Sequence, residues 1–183
     1  MRALLVRHAE STGQAPEAPL SETGRQQANS LAHSLRDLNA GPLYASPYTR
    51  ARQTIAPYAD LTAQSVKTVD GFHERVLSPE PLIDWQDHLR RSFANSNYAC
   101  PQGESMSQVR SRAAIALIQI ERFSKGLPTI VTHGGLIASL LQAADPSFGF
   151  EDWRGLRNPD LFDVEIETGR VLSFTRLPLK EKA

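Results

Sequence analysis

The sequence predicts an α/β fold: a three-layer sandwich with a mostly parallel sheet, helices on both faces and an antiparallel edge strand. Three observations carry this reading. Short apolar runs at Arg2–Val6, Leu43–Ala45 and Pro128–Thr132 have the length and composition of strands buried on both faces. Segments of helical period lie between them, with start signals at Ser21, Ser46-Pro47 and Ser105. Near the end, Phe162–Ile166 and Val171–Phe174 flank Glu167-Thr168-Gly169-Arg170, a hairpin signal.

Taken in order, the first strand is followed by a helix that Ser21 caps and that runs to about Leu38. Its residues Ala28, Leu31, Leu35 and Leu38 recur at helical spacing. Ser46-Pro47 reads as N-cap and first position of the next helix, and Ser65–Val69 as a third strand. Residues 71–104 break the alternation. They hold Pro79, Pro81 and Pro101 and little β pattern, and read as a partly helical insertion over the site, with a helix starting at Ser78-Pro79. Ser105 and Gln108 then form a capping-box pattern. It opens a helix to about Phe123, with Val109, Ala113, Ala116, Leu117 and Ile120 inward. A helix over Gly135–Ala143 follows the Pro128 strand.

With 183 residues, 40% of them apolar and 22% charged, the chain reads as a single domain over 1–183 with a core that needs no covalent staple. Twenty basic and twenty acidic residues balance to zero, which argues against a nucleic-acid or membrane-surface partner held by bulk charge. The single Cys100 rules out a disulfide framework and a Cys-rich zinc site. No apolar run reaches bilayer length, and Met1–Glu10 is interrupted too early to be a signal peptide. The expectation is a cytoplasmic protein. The sequence is silent on oligomeric state.

In parallel sheets, ligands bind beyond the carboxyl ends of the strands. Three polar clusters fall there: Arg7-His8, Ser46–Arg50 and His133-Gly134-Gly135. Each alone fits a bland reading, as a surface dipeptide, a solvated helix arginine or a turn with a packed histidine. Together they describe an anion pocket. Two guanidinium groups grip phosphoryl oxygens, and glycines let a helix N-terminus approach the anion. Arg52 should point elsewhere. His-x-x-x-His and Cys-x-x-Cys spacings are absent, and His8 with Glu10 makes a poor metal pair, so neither metal nor cofactor is expected.

Ordered motifs then identify a family. Leu5-Val6-Arg7-His8-Ala9-Glu10-Ser11, Leu20–Ala28, Ser46–Thr54, Phe72-His73-Glu74, Gly103-Glu104-Ser105 and Val131–Gly135 resemble the successive signature blocks of the histidine phosphatase superfamily, also called phosphoglycerate mutase-like. Ala9 replaces a usual glycine, and Gln14 stands where many members carry a phosphate-binding asparagine. The resemblance implies a metal-independent phosphatase that hydrolyses phosphomonoesters through a covalent phosphohistidine. His8 would be the nucleophile, kept neutral by repulsion from Arg7 and Arg50. His133 would join the two arginines in stabilising the transition state, and Glu74 would be the general acid. Arg7, Gln14, Arg50, His133 and the Gly134 N–H would bind substrate.

Two other functions compete. One is phosphoglycerate mutase-type phosphoryl transfer, an isomerisation. Mutases of the family are longer and close the site with a C-terminal tail, whereas Leu179–Ala183 is short and charged, so water is expected to win. The other is a non-catalytic phosphate-binding module, disfavoured because both histidines are present. The expected partner is a small phosphorylated substrate, with a phosphoprotein open as well. Arg75, Arg90, Arg91 and Trp85 fit either a second substrate contact or a solvated helix face with one buried tryptophan.

Overall fold

The structure, a computed structural model, describes residues 1–179. The charged tail read from the sequence therefore lies, over residues 180–183, outside the described residues. Six strands form one sheet in the order β3-β2-β4-β1-β5-β6. They are β1 (Arg2–Arg7), β2 (Leu43–Ala45), β3 (Val66–Thr68), β4 (Thr129–Thr132), β5 (Asp160–Glu167) and β6 (Arg170–Arg176). The pairs β1–β4, β2–β4 and β2–β3 are parallel, whereas β1–β5 and β5–β6 are antiparallel. The expected hairpin closes through Thr168 and Gly169, both at positive φ, which is the backbone of a tight two-residue turn.

The interior of β1, Ala3–Val6, is apolar because each face of the strand meets a different core. Leu4 and Val6 pack with Leu31 and Leu35 of α1 (Glu22–Asp37) and Ile55 and Tyr58 of α2 (Thr49–Thr62). Ala3 and Leu5 pack with Val109, Ala113, Leu117 and Ile120 of α4 (Met106–Phe123) and Leu136, Ile137 and Leu141 of α5 (Gly134–Ala144). The period-2 alternation of a strand sends neighbouring side chains to opposite layers, and this produces the three-layer sandwich. Ser21 caps α1 by accepting the Gly24 N–H, and the Ser105–Gln108 capping box is formed.

Three local expectations need correcting. Helix α2 starts at Thr49 with Tyr48 as N-cap, not at Ser46-Pro47. The Ser46 hydroxyl is committed to His133 across the sheet, and Tyr48 is extended. No helix starts at Ser78-Pro79; α3 spans Trp85–Ala94. Pro79 and Pro81 push the residues before them, Ser78 and Glu80, out of the helical region. The short helix α6 (Phe150–Arg154) was not anticipated.

One glycine fixes where the segment after β1 goes. Helix α1 lies against the main chain of Glu10, and a Cβ on Gly24 would sit 1.9 Å from the Glu10 carbonyl oxygen. That contact is to backbone, so it cannot be relieved by a rotamer change. In Gly24→Ala, a helix-propensity gain of about 1 kcal/mol is set against an overlap that must displace the segment. A net loss of about 1–3 kcal/mol is expected in denaturant titration. Unchanged or increased stability would show that α1 does not dock on this carbonyl.

Candidate active site

Strand β4 lies between β1 and β2, and this places the three polar clusters side by side. The His8 N–H donates to Thr132 O at 3.0 Å, and the Ser46 N–H donates to Val131 O at 2.9 Å. His133 follows β4 directly. The rings of His8 and His133 meet edge to face with centroids 5.1 Å apart.

The His8 ring is held as one tautomer. Its Nδ1 lies 2.7 Å from Ala9 O. A carbonyl only accepts, so Nδ1 carries the hydrogen and Nε2 keeps its lone pair. Nε2 in turn accepts from Arg50 Nε at 3.1 Å. Burial pushes the His8 pKa down to about 3, with Arg50 and Arg7 adding repulsion. The sequence had assigned this neutrality to the arginines, but desolvation is the larger cause. His133 is likewise held well below the usual histidine range, first by burial and then by His8 and Arg50.

Arg50 is buried and Arg7 half-buried, and neither has a carboxylate within ion-pair distance among the described residues. Arg50, 1% exposed, gives its remaining hydrogen bonds to Gln14 O (3.1 Å) and Ala15 O (2.9 Å). Arg7 donates to Leu156 O at 2.7 Å, and its Nε has no partner. Desolvation lowers the pKa of both. Cations held by neutral carbonyls, with the Glu74 carboxylate acting on both only from beyond ion-pair distance, make the pocket a receptor for an anion. Gly134 heads α5, where a first-turn N–H has no partner within the helix.

Glu74 stands on the other side of the α5 N-terminus. Its Oε1 accepts the Arg75 N–H at 2.7 Å and the Gly135 N–H at 3.1 Å. A Cβ on Gly135 would come 2.7 Å from that oxygen, so a side chain here would displace the carboxylate from the α5 N-terminus. The Glu74 main chain is braced by Arg112, which pairs with both oxygens of Glu104 (2.8 and 3.0 Å) and donates to Gly71 O and Glu74 O.

The structure thus brings His8, His133, Arg7, Arg50, Gly134 and Glu74 together. Gln14 arrives through its carbonyl, with its side chain exposed. Of the residues weighed for a second substrate contact, Arg75 is turned inward to Ser92 Oγ and Glu104 O. Arg90 lies over the Phe150 ring and pairs with Asp87. Arg91 is on the exposed side of α3. Trp85 is 42% exposed, so it is not the buried tryptophan expected.

Several contributors escaped the sequence reading. Ser46 contacts His133, and Tyr48 packs its ring edge on His133 at 4.9 Å. Thr54 accepts the Ala9 N–H and donates to Arg50 O. Asn158 donates to His8 O. Ser46 and Thr54 lay at the two ends of a motif already noticed; Asn158 had no local signal. Among the described residues no group of three or more His, Cys, Asp or Glu side chains is arranged to hold a metal ion, and no helix is long and apolar enough to cross a membrane.

Comparison with known proteins agrees with this geometry. The profile of the histidine phosphatase superfamily (branch 1) matches residues 3–171. The chain belongs to that superfamily. A probable phosphatase of Schizosaccharomyces pombe is 29% identical over 120 residues, 61% of this chain and 56% of that protein, so the match spans little more than half of that relative. A probable phosphoglycerate mutase, GpmB, of Enterobacter sp. is 27% identical over 157 residues, 77% of this chain and 73% of that one. The solved fold of a mycobacterial glucosyl-3-phosphoglycerate phosphatase superposes with a TM-score of 0.75 at 20% identity, covering 100% of this chain and 99% of that one. The superfamily's relatives named here include both phosphatases and mutases.

The buried histidines set a pH dependence of stability. His8 has a folded pKa near 3 against an unfolded value near 6.5, so below pH 6.5 the unfolded chain binds a proton that the native chain refuses. Stability is then lost as pH falls from 6.5 towards 3, by up to about 1.4 kcal/mol per pH unit for this group. Denaturant titrations at pH 7 and pH 5 should show a smaller drop in His8→Asn than in the wild type. Equal drops would mean that His8 is protonated in the native protein.

Proposed function

We propose that the protein is a metal-independent phosphatase that hydrolyses phosphomonoesters through a phosphohistidine on His8. The observation that carries this reading is the His8 ring: neutral, with Nδ1–H tied to Ala9 O and the Nε2 lone pair on the buried Arg50, with Arg7 near enough to repel a ring proton and neither arginine in an ion pair. An imidazole so held is a nucleophile beside an anion receptor.

In the first step His8 Nε2 attacks phosphorus. The N–P bond forms, the P–O bond to the leaving group breaks, and Glu74 gives its proton to the departing oxygen. Arg50 Nε, which donates to Nε2, moves its donation to a phosphoryl oxygen. Arg7 Nε and the Gly134 N–H supply further donors where charge accumulates. In the second step water attacks phosphorus, Glu74 takes its proton, the N–P bond breaks, and inorganic phosphate leaves. The sum is ester plus water to alcohol plus phosphate.

A second reading, phosphoryl transfer between positions of a phosphoglycerate, is supported by the names of the GpmB relatives. The substrate is a small phosphorylated molecule in either case, and relatives of this fold have been solved with inorganic phosphate and with phosphoserine.

The test is hydrolysis of para-nitrophenyl phosphate in EDTA. Wild type should turn over, and His8→Ala should lose about a thousandfold or more. Activity that vanishes in EDTA, or that survives in His8→Ala, overturns the proposal. Isomerisation of phosphoglycerate without phosphate release would favour the mutase. Glu74→Gln should lower kcat/KM by about 10²- to 10⁴-fold for alkyl phosphates and much less for para-nitrophenyl phosphate, whose leaving group needs no proton. Equal losses on both substrates would remove Glu74 from the acid role.

A further inference from the structure

Resting on the phosphatase reading, we propose that Ser46 is a positioning residue that fixes His133 as its Nδ1–H tautomer, so that His133 acts on the phosphoryl group as a neutral hydrogen-bond donor.

The inference follows from counting hydrogens. Ser46 is fully buried, and its Oγ has two neighbours among the described residues: the Tyr48 N–H at 3.2 Å and His133 Nε2 at 2.7 Å. The Tyr48 N–H only donates, so it occupies a lone pair of Oγ. The hydroxyl hydrogen then has one acceptor within reach, His133 Nε2. The opposite arrangement, with Nε2–H donating to Oγ, would leave a buried hydroxyl hydrogen without an acceptor, at a cost of about 1–3 kcal/mol. With Nε2 accepting, the ring hydrogen lies on Nδ1.

His133 Nδ1 is the buried ring nitrogen that has no partner in the structure. It shares that condition with Arg7 Nε, the other buried side-chain polar atom without one among the described residues. Two orphaned buried donors at one pocket await the same acceptor, and a phosphoryl oxygen supplies it. The surroundings favour the neutral ring, since burial is followed by His8, Arg50, His73 and Arg112 among the influences that hold the proton off. The Ser46-Pro47-Tyr48 turn also holds the ring in place, with the hydroxyl on one nitrogen and the Tyr48 ring edge against it at 4.9 Å. This explains why the turn precedes helix α2 instead of capping it.

The experiment is a two-bond ¹H–¹⁵N correlation spectrum of labelled protein at pH 7, which separates the two neutral histidine tautomers. The His133 signals are assigned by their loss in His133→Gln. Wild type should show His133 neutral, with Nδ1 protonated. Ser46→Ala should move the ring towards the Nε2–H form and lower kcat/KM and vanadate affinity by about 10- to 100-fold, the range seen when a partner orienting a functional histidine is removed. Ser46→Thr, which keeps the hydroxyl, should retain the Nδ1–H form. A wild-type His133 that is an imidazolium or carries its hydrogen on Nε2 overturns the inference, and it does so even if Ser46→Ala fails to fold. So does a Ser46→Ala protein that keeps the Nδ1–H form with activity within about twofold of wild type. The spectrum is read without turnover, so failure of the phosphatase reading and failure of this inference appear separately.

Discussion

The pair of hydrogen bonds that His8 and Ser46 make to successive carbonyls of β4 is the constraint on which the rest of the site depends. A parallel ladder runs its strands out in the same direction, so the residues just past β1, β4 and β2 emerge together. The nucleophile candidate, the second histidine and the serine that holds it are thereby set in a row by backbone geometry. No long side chain has to reach for its place. The helices on the two faces bury the strands, and His8, Ser46 and His133 are buried with them.

The electrostatics of the site follow from that placement. Bringing two guanidinium groups and two imidazoles into a desolvated corner costs free energy unless charge is removed or an anion enters. The structure does the first with the histidines, whose rings are held neutral mainly by burial. It leaves the second to the ligand, since Arg7 and Arg50 are satisfied by carbonyls and not by carboxylates. The acidic residues near the mouth are kept off the cations. Glu74 is drawn to the α5 N-terminus by backbone N–H groups, and Glu104 is neutralised by Arg112. A resident carboxylate between the arginines would compete with phosphate, and this arrangement avoids one.

The sequence by itself determined the six strands, most of the helices between them, and the gathering of Arg7-His8, Ser46–Arg50 and His133-Gly134 at one end, while the starts of α2 and α3 and the short α6 escaped it. It could do so because burial periodicity and capping are local properties, readable over a dozen residues. It did not determine whether Ser46 would cap a helix or hold a histidine, since that depends on β4 lying next to β2, a contact between residues 87 apart in the chain. The tautomer of His8, the turning inward of Arg75 and the Asn158 bond to the His8 carbonyl are likewise decisions of the tertiary structure. Each is the choice of one partner by a polar group with several possible partners, and burial, which excludes water as the alternative, exists only once the layers have packed.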